Sequence, residues 1–451
     1  MSKIITVPDK KLREVTKKVA YFDSTLKVQA EEMKKVLREN SDNGIGLSSN
    51  QIGFDNQIFV VEFDDPEKKN LIPLTFFINP RIIENNDERE TLDEGCLSVP
   101  NIFLPTKRAT KIKVRAQNLD GKSFKLTAKG LYARLIQHES DHLNGVLFTD
   151  RAKMKLHKEN PDLKNLKITF IGTGDFAVLI LEGLILLNFN IINVITEKPK
   201  PSGREKKLFD TPVAKVAKAF GEKVIETDDI STLNSELNNS DLIVLADFGQ
   251  IIPESIFKLP KFGAILTHQS LLPKYRGPSP IQTAILNGEK ETGVSIIKMS
   301  EKIDEGPILK QETIEIWPED NSQTLKARLS NLGLKMLINL IPQIQSGQVQ
   351  EIPQNKAEAT LTHKLKKEDG EINWKEPVSK IDQKIRAFYP WPTAYTFIDN
   401  KRLIILQAHI EKQKLVLDAV QPEGKKPMLW KDFINGFRGR KPEWFSKVSL
   451  K

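Results

Sequence analysis

The sequence predicts a multidomain chain: an α+β domain over residues 1–152, an α/β domain built on a parallel sheet over 166–355, and a small β-rich module over 356–451. Three observations carry that expectation. The length of 451 residues is roughly three times a typical domain of about 150. A polar, charged stretch at 151–162 separates two regions of different hydrophobic pattern. From about residue 356 the periodicity weakens and Lys, Pro and Gly rise. Apolar residues make up 39% of the chain and charged residues 28%, values that exclude a disordered or fibrous protein.

In the first region, Gln57–Phe63, Phe76–Asn79 and Ile112–Ala116 read as strands. Helical patterns flank them at Leu26–Arg38 and Ala128–Leu143. Residues 153–165 read as a helix end and linker. Beyond it, short Ile/Val-rich runs at Lys167–Ile171, Ile191–Thr196, Leu242–Ala246, Ala264–His268 and Val294–Met299 alternate with helices at Phe176–Leu187, Pro212–Phe220 and Ser279–Asn287. Buried strands alternating with helices predict a doubly wound parallel sheet.

Charge and cysteine usage narrow the function classes. The net charge is +9, and the last quarter of the chain alone carries +8. A basic module attached to a near-neutral middle fits a polyanionic partner such as nucleic acid. No apolar run approaches the roughly 18 residues of a membrane span, so no membrane association is expected. The N-terminus lacks the apolar core of a secretory signal, and Cys96 is the one cysteine. A cytoplasmic location is the expectation.

Chemistry-bearing residues of the first region fall in three segments. His138-Glu139-Ser-Asp-His142 lies within a predicted helix that Asn144-Gly145 would stop. Positions i and i+4 share a helix face, so both imidazoles can bind one cation, and Glu139 can act on water there. Cys96, in Asp93-Glu94-Gly-Cys96-Leu97-Ser98, would complete a His₂Cys donor set. In Asn43-Gly-Ile-Gly-Leu-Ser-Ser-Asn-Gln51, two glycines let backbone approach a substrate, and the Gln amide can donate to an oxyanion.

Together these segments resemble peptide deformylase over roughly residues 1–152, with Ser48-Ser49 where many members have two alanines. The resemblance implies a deformylase-like α+β fold and removal of formyl from N-formylmethionyl nascent peptides. It assigns Cys96, His138 and His142 to Fe²⁺, with Zn²⁺ or Ni²⁺ able to substitute, a set suited to late first-row metals. Glu139 becomes the proton carrier, and the Leu97 N–H with the Gln51 side chain the oxyanion donors. Gly44, Ile45, Gly46 and Leu47 would pair with the peptide as an added strand.

In the second region, Gly172-Thr-Gly174-Asp-Phe-Ala177 with Glu197 about 20 residues on satisfies a dinucleotide fingerprint. It reads better as a plain strand-to-helix turn of a Rossmann-like sheet, because the chemistry lies elsewhere. A strand delivers His268 to its C-terminal end, the ligand edge of a parallel sheet. A Pro/Gly-rich loop follows, and Asp304 sits in the loop after the next strand, where it can orient the imidazole.

From about Leu166 onward the chain resembles methionyl-tRNA formyltransferase. Ser270, Leu271, Leu272, Pro273, Arg276 and Gly277 match the loop shared by folate-dependent formyltransferases, as do His268 and Asp304. The basic loop with Arg204, Lys206 and Lys207, the segment Arg386–Pro392 and the basic C-terminal module favour tRNA as acceptor. The resemblance implies 10-formyltetrahydrofolate as formyl donor, Met-tRNA(fMet) as partner, and an OB-like barrel at the C-terminus. Two departures stand out. The family's catalytic Asn, two residues before the His, is Leu266 here, which removes an amide donor from the face that His268 shares. Loss of such a donor costs on the order of 10²–10³ in rate. The barrel is also short between Ile405 and Lys425. Two readings follow: a bifunctional enzyme that adds formyl to Met-tRNA and removes it from nascent peptides, with the ribosome a possible partner, or an active deformylase joined to a catalytically weak RNA-binding module.

Overall fold

The computed structural model describes residues 3–42, 44–65, 70–202, 207–437, 439 and 442–449. The chain divides into two compact units, Met1–Asn165 with Gly183–Phe189, and Leu166–Glu182 with Asn190–Lys451.

The first unit begins with α1 (Ser24–Glu39), capped by the Asp23 carboxylate, which accepts from the Leu26 N–H. Five antiparallel strands form its sheet: β1 (Gly46–Ser48), β2 (Ile58–Asp65) and β3 (Asn70–Asn85), then, after β4 (Arg89–Cys96) and β5 (Val99–Ala109), β6 (Lys111–Gln117) and β7 (Ser123–Lys129). The order is β1-β2-β3-β6-β7, while β4 and β5 pair as a separate ribbon. Then come α2 (Gly130–Leu143) and α3 (Phe148–Glu159). Side-chain alternation buries both faces of the sheet. Ile58, Val60 and Ile78 pack with Leu26, Met33 and Leu37 of α1. Phe59, Val61 and Phe77 pack with Ala133, Leu135 and Ile136 of α2.

The region read as a helix end and linker is helical to Glu159 and continues as a 3₁₀ turn over Pro161–Asn165 that buries Leu163. Its polar surface hid an apolar stripe of Phe148, Ala152 and Leu156.

The second unit contains β8 (Lys167–Gly172), α4 (Asp175–Leu186), β9 (Asn190–Glu197), the short pair β10 (Pro201–Ser202) and β11 (Lys207–Leu208), α5 (Pro212–Phe220), β12 (Val224–Thr227), α6 (Asn234–Leu237), β13 (Leu242–Ala246), α7 (Glu254–Phe257), β14 (Ala264–His268), α8 (Pro280–Asn287), β15 (Glu291–Lys298), β16 (Ile308–Glu315) and α9 (Ser322–Gln345). The sheet order is β12-β9-β8-β13-β14-β15-β16. It is parallel through β14, as the alternating pattern predicted, but β15 pairs antiparallel with β14 and β16 antiparallel with β15. Between β14 and β15 much of the chain is irregular, and α8, at about 1.5 Å per residue, is too short to carry it back across the sheet. The helical pattern of α9 is masked in the sequence, because Gly333 and Pro342 punctuate its apolar positions.

The C-terminal part holds α10 (Val378–Ala387), β17 (Ala394–Ile398), β18 (Lys401–Glu411), β19 (Lys414–Pro422), β20 (Met428–Leu429), α11 (Trp430–Gly436) and β21 (Val448–Ser449). Its five strands enclose a core of Ile381, Ile385, Leu403, Leu417 and Trp430. The connection that looked short is a tight hairpin. Lys412 and Gln413, at φ of 49° and 64°, join β18 directly to β19.

Candidate active sites

In the first unit, β4 ends on Cys96 and α2 presents His138 and His142 one turn apart. One donor atom from each lies within 4.8 Å of the other two. Cys96 Sγ is 3.1 Å from His142 Nε2. His138 Nδ1 lies 3.1 Å from Glu94 Oε2, which leaves its other nitrogen free for a ligand. A thiolate and two imidazoles on neighbouring elements fit a tetrahedral late first-row dication with a fourth position open.

Around the donors is a buried ion network that the sequence reading missed. Arg108 donates to both carboxylate oxygens of Glu94, from Nε at 2.9 Å and Nη2 at 2.8 Å. Arg134 Nη1 reaches Glu94 Oε1 at 2.7 Å and Thr106 O at 2.8 Å. Arg108 also pairs with Asp141, which Arg151 holds at 2.6 Å. Burial pushes the Glu94 carboxyl up, but hydrogen bonds from Arg108 and His138 outweigh it and hold it at about 2. A permanently charged Glu94 thus fixes the His138 ring. Glu94 stood in the recognised motif, but Arg108 and Arg134 meet it only through strand pairing and helix packing.

Glu139 is 3% exposed, and burial raises its proton affinity. Ser48 Oγ donates to Glu139 Oε2 at 2.7 Å and to its backbone oxygen at 3.0 Å. The Ser48 side chain, where alanine was the family expectation, therefore touches the expected proton carrier. Gly46 leaves room for that carboxylate: a Cβ there would stand 2.6 Å from Glu139 Oε1. Gln51 Oε1 accepts from the Ser48 N–H at 2.8 Å, and Nε2 lies 3.1 Å from Ser98 Oγ and 3.4 Å from Cys96 Sγ. Gly44, Ile45, Gly46, Gln51, Leu97 and Glu139 share with Cys96 and His138 a cavity of about 180 Å³. Leu47 is fully buried beneath it. Because β1 is the edge strand, one side of this segment is open to pairing.

The second site lies at the C-terminal ends of β13 and β14. His268 and Asp304 line a cavity of about 440 Å³ together with Leu266 and Gly277. His268 Nδ1 is 3.7 Å from Asp304 Oδ2, and its Nε2 donates to Tyr275 O at 3.0 Å. The Gly277 N–H donates to Asp304 Oδ2 at 2.7 Å. Gln354, which the sequence reading also missed, donates from Nε2 to the carbonyls of Asp304 and Gly306, each at 2.7 Å, and accepts from Arg276.

Ser270, Leu271, Leu272, Pro273 and Arg276, expected at the substrate, do not line this cavity. Ser270 and Leu272 are buried and tied to Ser295, and Arg276 pairs with Glu305 at 3.0 Å. They shape the loop that carries Gly277. Arg204 and Lys206 lie outside the described residues, and Lys207 is described only as part of β11. Leu266, like Phe248 and Met299, packs against the apolar core beneath the cavity, while the Thr267 methyl lies against Gly333 of α9. The two residues face opposite ways, as strand alternation predicts.

Comparison with known proteins finds families for both regions of the chain. The family model for polypeptide deformylase matches residues 1–158. Those for formyl transferase and its C-terminal domain match 166–341 and 364–415. The methionyl-tRNA formyltransferase of Thermodesulfovibrio yellowstonii is 40% identical over 296 residues, covering 60% of this chain and 95% of the relative. That of Staphylococcus epidermidis is 38% identical over 298 residues, 60% of this chain and 96% of the relative. Among solved structures, peptide deformylase from Thermotoga maritima is 38% identical, with a TM-score of 0.31, covering 34% of this chain and 97% of that one. The enzyme from Synechococcus elongatus, in complex with actinonin, is 35% identical at a TM-score of 0.31, covering 34% of this chain and 78% of that one. These relatives do not favour the reading of the second region as a weak RNA-binding module. The chain belongs to the methionyl-tRNA formyltransferase family and carries a peptide deformylase domain ahead of it.

Proposed function

We propose that this chain acts on the methionine amino group in both directions. It transfers formyl from 10-formyltetrahydrofolate to Met-tRNA(fMet), and it hydrolyses formyl from N-formylmethionyl peptides. The observation that carries the reading is that members of two unrelated motif sets line two separate cavities in one chain: Cys96, His138 and Glu139 the first, His268, Gly277 and Asp304 the second.

In deformylation, Cys96, His138 and His142 would hold the metal, which in this reading is ferrous iron with zinc or nickel able to replace it. The bound ion supplies the Lewis acidity that makes water nucleophilic near neutral pH. The peptide adds as a strand along Gly44–Leu47, supported by the open edge of β1. Glu139 takes a proton from the attacking water and gives it to the leaving amine, a role its buried, Ser48-held carboxyl suits. The Leu97 N–H and Gln51 Nε2 donate to the formyl oxygen as charge develops there.

In transfer, His268 and Asp304 meet the incoming amine at the mouth of the sheet. The apolar wall of Leu245, Ile252, Leu266 and Met299 takes the flat ring of the folate. Arg204, Lys206, Lys207 and the +8 C-terminal module contact tRNA phosphates. Among the described residues no helix is long and apolar enough to cross a membrane. In this reading the chain works in the cytoplasm on nascent chains at the ribosome.

Two assays on one preparation test this. Purified chain should formylate Met-tRNA and deformylate a formyl-methionyl peptide. His268→Ala should remove only the first activity and Glu139→Gln only the second. A chain lacking either activity, or losing both to one substitution, would contradict the two-site reading.

A further inference from the structure

The transferase cavity has a place where a hydrogen-bond donor is needed and residue 266 offers none. In formyl transfer the acceptor amine bonds to the formyl carbon while the carbonyl pair moves onto oxygen. That pair returns as N10 of the folate leaves with its own electrons, and N10 takes up the proton that the amine gives away. The oxygen gains charge in between, so a donor aimed at it lowers the barrier. Leu266 lies on the apolar wall beside His268 and donates nothing.

Most other polar groups of the cavity are already committed. The Gln250 amide donates to Thr227 O at 3.2 Å and accepts from the Ile230 N–H at 3.0 Å. Ser300 Oγ donates to Lys302 O, and His268 Nε2 to Tyr275 O. Thr267 Oγ1 is buried out of reach. Gln269 is different. It follows His268 directly, is half-buried and lines the same cavity. The side chains of both its neighbours are tied, His268 to Tyr275 O and the buried Ser270 to Lys274 O at 2.6 Å. Among the described residues its amide takes no hydrogen bond.

We propose that the Gln269 side-chain amide donates to the formyl oxygen in place of the asparagine that family resemblance expects at position 266. The inference rests on the transferase reading of this cavity. The donor has moved from the strand to the residue after it. A glutamine carries its amide one methylene farther than an asparagine, which gives the side chain reach from this new starting point.

The test is single-turnover formyl transfer to Met-tRNA by the full chain. Gln269→Met keeps the length and removes the donor. It should lower the transfer rate by about 10²–10³, with little change in folate affinity and none in deformylation. Leu266→Asn should gain little in the wild-type background but recover much of the rate in Gln269→Met, the non-additivity expected of two residues serving one oxygen. An independent readout is the infrared carbonyl stretch of ¹³C-formyl-labelled 10-formyltetrahydrofolate bound without tRNA. Losing the hydrogen bond should move it to higher frequency in Gln269→Met. Wild-type rate and stretch in Gln269→Met would overturn the proposal. So would the same losses appearing in Lys302→Met instead. A wild-type chain that deformylates but transfers no formyl would overturn the transferase reading itself, and this inference with it.

Discussion

The metal site and the transfer site are built on opposite principles. The first is closed by charge. Glu94, Arg108, Arg134 and Asp141 form a buried network whose members satisfy one another and fix the His138 ring. The second is held mainly by backbone: the Gly277 N–H, the Tyr275 carbonyl and Gln354 position His268 and Asp304, and the cavity wall is apolar. The difference follows from what each must do. Three donors that bind one dication tolerate no change of element, because ligand distances vary little. A cavity completed by its substrates needs a donor at one point in space, and more than one residue can deliver it. Position 266 of the second site is leucine, whereas the Cys-His-His set of the first is intact.

The comparison can be broken or sharpened by substitution. His138→Ala should have the largest effect. Two remaining protein ligands cannot close the site, so metal content should fall to background and deformylation with it, while formyl transfer persists. Metal retained at wild-type stoichiometry would remove His138 from the ligand set. Next, Glu139→Gln should lower deformylation by about 10²–10⁴, the usual range for a proton carrier, with metal content unchanged. Full turnover would show that another group moves the proton.

Arg108→Met addresses the charged surround. It leaves Glu94 and Asp141 buried with fewer partners, which should cost about 3 kcal/mol of stability in the first unit. A calorimetric scan should show one transition shifted down and formyl transfer intact at moderate temperature; an unshifted transition would mean that Arg134 and Arg151 suffice. The smallest effect is expected from Ser48→Ala. It removes the hydroxyl that donates to the Glu139 carboxylate, a bond worth about 1 kcal/mol, and should lower kcat roughly five-fold with KM unchanged. An equal rate would make Ser48 a neutral substitute for alanine. Finally, neutralising Arg204, Lys206 and Lys207 together should weaken Met-tRNA binding and flatten its salt dependence, with peptide hydrolysis unchanged.

Much of this molecule was legible in the sequence because its information is local. The i, i+4 histidines of α2, the Cys96 turn and the β14 strand ending on His268 are each set by a few consecutive residues and their periodicity. The modules and the two chemistries followed from them. What the sequence left open depends on residues far apart in the chain. The β4–β5 ribbon has too polar a first strand to be read alone and exists through pairing. The antiparallel direction of β15, the α3 helix under a polar surface and α9 with its internal Gly and Pro were decided by packing. So were the contacts of the candidate site residues: Arg108 on Glu94, Ser48 on Glu139 and Gln354 on Asp304, and the cavity that Gln269 and Leu266 share. Ligand identity is a matter of residue type at fixed spacing, which a sequence states outright. Which buried charge meets which, and which donor faces an empty volume, is set only when strands and helices from distant segments close around it.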